Sequence, residues 1–302
     1  MKKIAVIVVT YNRKKLLKEC LENLIKYNKE RYDIYILDNC STDGTRESLE
    51  KYINDNKIIY YKTEKNIGGA GGFSTGIKLS LESSKYDYIW VMDDDTIIQE
   101  KTLDEILEKA RILNNKFSFL SSIALWKDGN LCSMNVQSVS SETIKNYKSI
   151  NDGILKIDYA SFVSCFINSK YIFKVGLPIK EFFIYGDDME YTMRLSKEES
   201  GYLVPKSIVI HKMTSNEGIN IIDADVSRIN RYYYNYRNLL YVYKKYDKKK
   251  FKFFRLKCYY LILKILFNAK KNKFKRIYVI LKALCSYNKF NPEIEFIGDK
   301  NE

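Results

Sequence analysis

The 302-residue chain is 46% hydrophobic and 29% charged, with 26 tyrosines, only three prolines and a formal charge of +14. This composition excludes a disordered or collagen-like chain and is sufficient for a full hydrophobic core. The charge is concentrated: Arg231 to Phe290 carries eighteen Lys and Arg against one acid, Asp247, and the rest is close to neutral. Such a segment calls for an anionic partner.

Six scattered cysteines (Cys20, Cys40, Cys132, Cys165, Cys258, Cys285) show no CxxC pair or metal-finger spacing, which favours reduced thiols. The apolar N-terminal run stops at Tyr11-Asn12-Arg13, too early for a signal peptide. No stretch of ~18 apolar residues predicts a membrane span. A cytoplasmic protein is expected.

In chain order, Ile4 to Val9 reads as a buried parallel strand. Leu16, Leu17, Cys20, Leu21, Leu24 and Ile25 then recur at helical spacing. Asp33 to Leu37 is a second strand. Asp38 to Thr45 is a polar turn that caps a helix over about Arg46 to Ile53. Lys57 to Lys62 is a third strand, and the glycine-rich loop Asn66-Ile67-Gly68-Gly69-Ala70-Gly71-Gly72-Phe73 leads into a helix to about Leu81. A strand from Tyr86 ends in Asp93-Asp94-Asp95, followed by a helix over about Lys101 to Leu113. This alternation predicts a parallel sheet covered on both faces.

Phe117 to Leu125 has strand composition, Trp126 to Ser149 is loop-like, and Asp158 to Ile167 again has strand composition. Phe182 to Tyr191 contains Asp187-Asp188 and runs into a helix through Leu195. Gly201 to Ile210 is a strand ending at the only histidine, His211. From Val226 the chain is helical.

Three consecutive carboxylates at a strand end repel one another and do not favour a strand. They are either a solvated turn with Asp95 or Thr96 as helix N-cap, or ligands for a divalent cation. Thr10 to Arg13, Asp38 to Thr45, Asn66 to Gly72 and Asp93 to Asp95 all follow strands, so a doubly wound sheet brings them to one edge. The glycine cluster has neither a Walker nor a clean dinucleotide spacing; it either lets backbone approach a ligand or packs closely on a helix. His211 is either structural or a third ligand, in which case imidazole plus carboxylates suits Mn²⁺ better than Mg²⁺. Asp187-Asp188 is either a charged helix start or a general base with its neighbour.

Val8-Val9-Thr10-Tyr11-Asn12-Arg13, Asp38-Asn39-Cys40-Ser41-Thr42-Asp43-Gly44-Thr45 and the Asp triplet together resemble family 2 glycosyltransferases of the GT-A fold, from the N-terminus through about His211. With the glycine cluster, Asp187-Asp188-Met189-Glu190-Tyr191, His211 and Tyr234-Asn235-Tyr236-Arg237-Asn238, the chain is similar to bacterial galactofuranosyltransferases and related rhamnosyltransferases. The resemblance implies a Rossmann-like α/β catalytic domain over residues 1–225 and a basic helical region over 226–302. It implies that Thr10, Tyr11, Arg13 and Asp38 hold the nucleoside, with Asn66 and Gly69 near the diphosphate or sugar and Asp94 beside the donor. Asp93, Asp95 and His211 would ligate Mn²⁺ or Mg²⁺. Asp188 would be the catalytic base beside Asp187, with Glu190 and Tyr185 on the acceptor side. Gly186 departs from the family, which often has Trp there as part of the acceptor surface.

The implied activity is inverting, metal-dependent transfer of galactofuranose from its UDP donor to a surface or lipid-linked glycan. Rhamnosyl transfer from a dTDP donor is the alternative, and a nucleotidyltransferase the alternative from another enzyme class. Phe251 to Phe267 mixes aromatic, aliphatic and basic residues, and Lys270 to Arg276 is a basic run. This composition suits an anionic membrane surface at the inner leaflet or a helical subdomain with solvated lysines. No nucleic-acid motif accompanies the charge, and the oligomeric state is left open.

Overall fold

The computed structural model describes residues 3–28, 30–145, 147–218, 220–269 and 271–298. β1 (Ile4–Thr10) is buried along its whole length, and its alternate side chains enter two separate cores. Ile4, Val6 and Val8 pack with Leu17, Leu21 and Leu24 of α1 (Lys14–Asn28), while Ala5, Ile7 and Val9 pack beneath a different helix. That two-sided burial explains the continuous apolar run.

β2 (Asp33–Asp38), α2 (Thr45–Asn54), β3 (Ile59–Lys62), α3 (Gly68–Ser83) and β4 (Tyr88–Asp93) complete the first half. Here the strands run parallel in the order β3-β2-β1-β4. Gly44, in the left-handed region, precedes α2 with no side-chain cap. Asp43 instead accepts hydrogen bonds from the Lys14 N–H and the Thr45 hydroxyl, tying α1 to α2.

β5 (Thr96–Ile98) follows the Asp triplet, and α4 (Thr102–Ile112) starts only afterwards. Neither Asp95 nor Thr96 therefore caps a helix. β6 (Phe119–Leu125), β7 (Ser138–Val139), α5 (Tyr147–Asn151), β8 (Leu155–Tyr159) and β9 (Cys165–Asn168) follow. α6 (Ser169–Val175), α7 (Asp187–Glu198) and β10 (Gly201–His211) end this half.

The second half of the sheet is mixed. β9 lies antiparallel between β4 and β6, β10 is parallel to β6, and β8 and β7 continue antiparallel beyond it. The single strand expected over 158–167 is thus two strands separated by a turn. Phe162 and Val163 in that turn are core residues, so apolar composition persists where regular pairing does not. The register of β10 slips between Val204 and Ile208, around Pro205, which has no N–H to donate.

The glycine cluster is not a loop: Gly68 opens α3. A Cβ on Gly72 would lie 2.5 Å from Val9 Cγ1, and one on Gly76 2.5 Å from Ile7 Cγ2. The helix contains glycine because it lies directly on β1. α8 (Tyr232–Tyr246), α9 (Lys248–Asn268) and α10 (Lys273–Ser286) form a C-terminal helical layer around Tyr236, Cys258, Ile265 and Ile280. The chain then returns to the body, where the Leu177 N–H donates to the Glu295 carbonyl and the Glu295 carboxylate meets Lys78 and Lys180.

Gly→Ala in an exposed helix interior normally stabilises by about 1 kcal/mol. Gly76→Ala should reverse that sign and cost about 1–3 kcal/mol, because the buried Ile7 has no free space to yield. Urea unfolding measures it, and a stabilised variant would contradict this packing.

Candidate active site

The parallel pairing of β1 and β4 sets Val9 opposite Asp93, which places Thr10 beside the Asp triplet. The Thr10 hydroxyl donates to Asp94 Oδ2 at 2.7 Å, and Arg13 Nη1 donates to Asp94 Oδ1 at 3.2 Å and Asp95 Oδ2 at 2.8 Å. Asp94 and Asp95 are both buried. Burial pushes Asp94 up to about 7, with Arg13 opposing and Asp95 adding to the rise. Burial also works against Asp95, but His211 and Arg13 hold it below the usual carboxylate range.

His211 reaches this edge because β10 pairs antiparallel with β5, His211 opposite Thr96, and the Lys212 N–H donates to the Asp95 carbonyl at 2.9 Å. Nδ1 of the buried imidazole lies 2.9 Å from Asn135 Oδ1. With that oxygen as acceptor, Nδ1 carries the proton and a neutral ring turns the Nε2 lone pair toward the carboxylates. Nε2 is 2.9 Å from Asp95 Oδ1 and 3.8 Å from Asp93 Oδ2. Asp95 Oδ1 is buried yet receives no hydrogen bond of acceptable geometry. Burial disfavours the imidazolium, but Asp95 and Asp93 outweigh it and push His211 up to about 10.

A pocket that holds a proton on His211 between Asp93 and Asp95 draws positive charge, and a divalent cation that displaced that proton would meet two carboxylates and the freed Nε2 lone pair. Among the described residues, only Asp93, Asp95 and His211 converge in this way, their ligand atoms within 4.8 Å of one another. Asp93 is 40% exposed and is the open side of the group.

The second acid pair lies close enough to the first to feel the charge of Asp93. Asp187 and Asp188 begin α7 after Gly186, whose φ is 80°. Asp188 Oδ1 accepts from the Met189 N–H at 2.7 Å. Burial raises Asp188 to about 6 against that hydrogen bond, and the Asp93 charge raises it further. Burial and Asp188 push Asp187 well up, and it too feels Asp93. A partly buried carboxylate near neutral pKa is suited to accept a proton from a group that reaches it.

The remaining candidates divide. Tyr11 is 42% exposed at the loop that the Asn12 N–H ties to the Ser41 hydroxyl. The exposed Asn66 accepts from the Gly68 N–H, and Gly69 has open space where a side chain would stand. Asp38 differs from these. It is wholly buried, one oxygen accepting from the Ser41 N–H at 2.7 Å and the other from the Tyr60 hydroxyl at 2.5 Å. Both oxygens thus hold the loop and Tyr60, and each keeps a further lone pair.

Glu190 is fully buried beneath Arg194, Lys245 and the Tyr246 hydroxyl, and so joins α7 to α8. Tyr185 is half-buried just before the acid pair, with φ at 67°. Asn135 and Tyr60 were missed. Asn135 lies in a stretch without periodicity, and Tyr60 looks like an ordinary strand residue. The cavity of about 320 Å³ near Ile4, Tyr88 and Ala110 lies at the opposite ends of the strands and holds none of these groups.

Residues 5–166 match the model of the glycosyl transferase family 2. The poly(ribitol-phosphate) β-N-acetylglucosaminyltransferase TarS of Staphylococcus aureus is 33% identical over 107 residues, 35% of this chain and 18% of TarS. The poly-β-1,6-N-acetyl-D-glucosamine synthase of the same species is 25% identical over 167 residues, 55% of this chain and 35% of the synthase. The chain therefore spans only a minor part of either relative. The structure of TarS residues 1–349 with UDP-GlcNAc superposes over 96% of this chain and 74% of its own, at TM-score 0.52 and 20% identity. A mannosyltransferase from Pyrobaculum calidifontis with GDP-Man and Mn²⁺ covers 95% and 75%, at TM-score 0.55 and 13% identity. These structures share the GT-A fold with this chain. The family match extends through the β1 and β4 loops built above, and the chain belongs to glycosyl transferase family 2.

Proposed function

We propose that the chain is an inverting, metal-dependent hexosyltransferase that takes its sugar from a UDP donor, with galactofuranose the first choice. The observation that carries this reading is the presence of two separate acid groups, Asp93/Asp95/His211 and Asp187/Asp188, close enough for the Asp93 charge to act on both acids of the second. A nucleotidyltransferase needs the first group but has no use for the second.

The roles follow from the geometry. Asp93, Asp95 and His211 would hold Mn²⁺ or Mg²⁺, which supplies Lewis-acid neutralisation of a nucleoside diphosphate leaving group. Thr10 and Arg13 orient Asp94 beside the donor, and Tyr11, Asn66 and Gly69 border the nucleotide sugar. Asp188 takes the proton from an acceptor hydroxyl as that oxygen attacks the anomeric carbon opposite the leaving group, so the anomeric configuration inverts. Asp187 beside it, its proton affinity raised by burial and by Asp188, is the positioning neighbour of the pair. The sequence motifs support galactofuranose, with rhamnose from dTDP as the variant reading. The N-terminal likeness to TarS, crystallised with UDP-GlcNAc, supports a UDP donor.

The division into a catalytic unit over 1–225 and a basic helical unit over 226–302 belongs to the same reading. α9 buries only Cys258 and Ile265, while Phe253, Tyr260, Phe267 and, on α10, Phe274 are more than 60% exposed among lysines. Lys270 of that basic run lies outside the described residues. No helix among the described residues is long and apolar enough to cross a membrane. An anionic bilayer surface satisfies both the apolar and the basic side chains, each Lys or Arg near it contributing about 1 kcal/mol. The enzyme then works peripherally at the inner face of the membrane, on a glycan or lipid-linked acceptor.

Donor use, the pH profile and membrane binding each test this reading. Incubation with UDP-galactofuranose, dTDP-rhamnose and UDP-GlcNAc, read by nucleotide release and product mass, should give UDP from the first; no release from it removes galactofuranose. Asp188→Asn should lower kcat at least 10³-fold while Mn²⁺-dependent UDP binding persists, and full activity would remove the base. In the parent protein, kcat/KM should fall tenfold per pH unit below about 6 as Asp188 takes up a proton, with a cation at Asp93 drawing that limb lower. The triple variant Phe253→Glu/Phe267→Glu/Phe274→Glu should no longer sediment with phosphatidylglycerol vesicles, and unchanged sedimentation would contradict the membrane face.

A further inference from the structure

The segment that presents the acid pair is strained. Phe183 has φ 64° and ψ −56°, and the Ile184 N–H donates to the Phe182 carbonyl at 2.7 Å. This is a γ-turn of the rare form. Tyr185 at φ 67° and Gly186 at φ 80° follow, and Asp187 is next. Non-glycine residues in such conformations are strained and persist only where surrounding groups hold them.

One side chain holds this turn from α8. Asn238 is fully buried, and its Nδ2 lies 3.0 Å from the Phe182 carbonyl, 3.1 Å from that of Ile184 and 2.7 Å from that of Tyr185. Its Oδ1 accepts from Arg237 Nε at 2.9 Å and Nη2 at 2.8 Å. A guanidinium only donates, so this contact sets the amide with its NH₂ toward the turn. Arg237 is in turn fixed by the Glu181 carbonyl at 2.7 Å and the ring of Phe290 at 3.8 Å. On the other side the Phe183 carbonyl accepts from the Ala70 N–H at 3.2 Å, an approach that needs Gly68, since a Cβ there would stand 2.0 Å from that oxygen.

We propose that Asn238 is a positioning residue of the transfer reaction: it clamps the strained 182–186 turn so that Asp187 and Asp188 are aimed into the cleft. The inference rests on the reading of Asp188 as base. It gives the Tyr234-Asn235-Tyr236-Arg237-Asn238 motif a task that its position, about fifty residues beyond the acid pair, does not suggest. The carbonyls of Ile184 and Tyr185 have no ladder partner, and that of Phe182 has only the Ile184 N–H. The two N–H groups of one amide, shared among the three, supply the missing donors, and a leucine or aspartate of similar size cannot.

The test uses the full chain with Mn²⁺ and the active donor. Asn238→Asp should lower kcat on the order of 100-fold, the cost of misplacing a catalytic group by about 1 Å. The donor KM and the Kd for UDP should stay within about twofold, and amide exchange should accelerate over 182–188. On an Asp188→Asn background the same substitution should have no further effect on kcat. Should the Asn238→Asp protein fail to fold, Asn238→Ser, which keeps one hydrogen-bonding group, provides the same readouts. Unchanged kcat, or a loss matched by lost UDP binding, overturns the proposal. An inactive Asp188→Asn protein beside a fully active Asn238 variant overturns the clamp alone. A fully active Asp188→Asn protein overturns the base on which it rests.

Discussion

Three carboxylates in succession at the end of a fully buried strand are the constraint around which the rest is arranged. β4 delivers Asp93, Asp94 and Asp95 to one edge of the sheet, where burial and then the like charge of Asp95 raise the proton affinity of Asp93 and Asp94. Each is dealt with differently. Asp94 is compensated within the protein by Thr10 and Arg13, Asp95 is shared between Arg13 and His211, and Asp93 is left half-open. The three acids are therefore not equivalent, and the uncompensated charge points outward between Asp93, Asp95 and His211. A histidine more than a hundred residues away in sequence reaches this place only because β5 turns back and pairs with the end of β10.

The same charge extends its influence to α7. Asp93 raises the proton affinity of both Asp187 and Asp188, so the two acid groups belong to one electrostatic unit although different elements carry them. The C-terminal layer builds the far wall of that unit. Glu190 is held by Lys245 and Tyr246, and the turn before α7 by Asn238, so α8 serves as scaffold for the second acid pair as well as linker to a basic tail. The chain end adds a further tie through Glu295 to Lys78 and Lys180.

Much of the first half was legible in the sequence, because strands buried on both faces show as continuous apolar runs and helices between them by their spacing. β1, β2, β4 and α1 follow that rule. Errors arose where tertiary contact overrode local pattern. The glycine cluster reads as a loop by composition, but direct packing of α3 on Val9 and Ile7 excludes Cβ atoms. Phe162 and Val163 read as strand because they are apolar, yet they are buried in a turn. The mostly parallel sheet is as expected, and the antiparallel β9 between β4 and β6 is the part that leaves no periodic trace. At the site, Asp93, Asp95 and His211 converge as the sequence implied. Asp38 and Glu190 are paired with Tyr60 and Arg194 within the protein, partners that residue type and spacing do not reveal.

The central claim is that a cation and a nucleoside diphosphate occupy the edge of the sheet bounded by β4, β10 and the start of α7. Crystals grown with MnCl₂ and UDP, measured at the manganese absorption edge, test it most directly. The account predicts one strong anomalous peak in coordination contact with Asp93, Asp95 and His211, with the UDP diphosphate bound to it and Asp188 facing the vacant sugar position. A peak on Asp187 and Asp188 alone, or UDP lodged in the cavity beside Tyr88 and Ala110 at the other end of the strands, would contradict it.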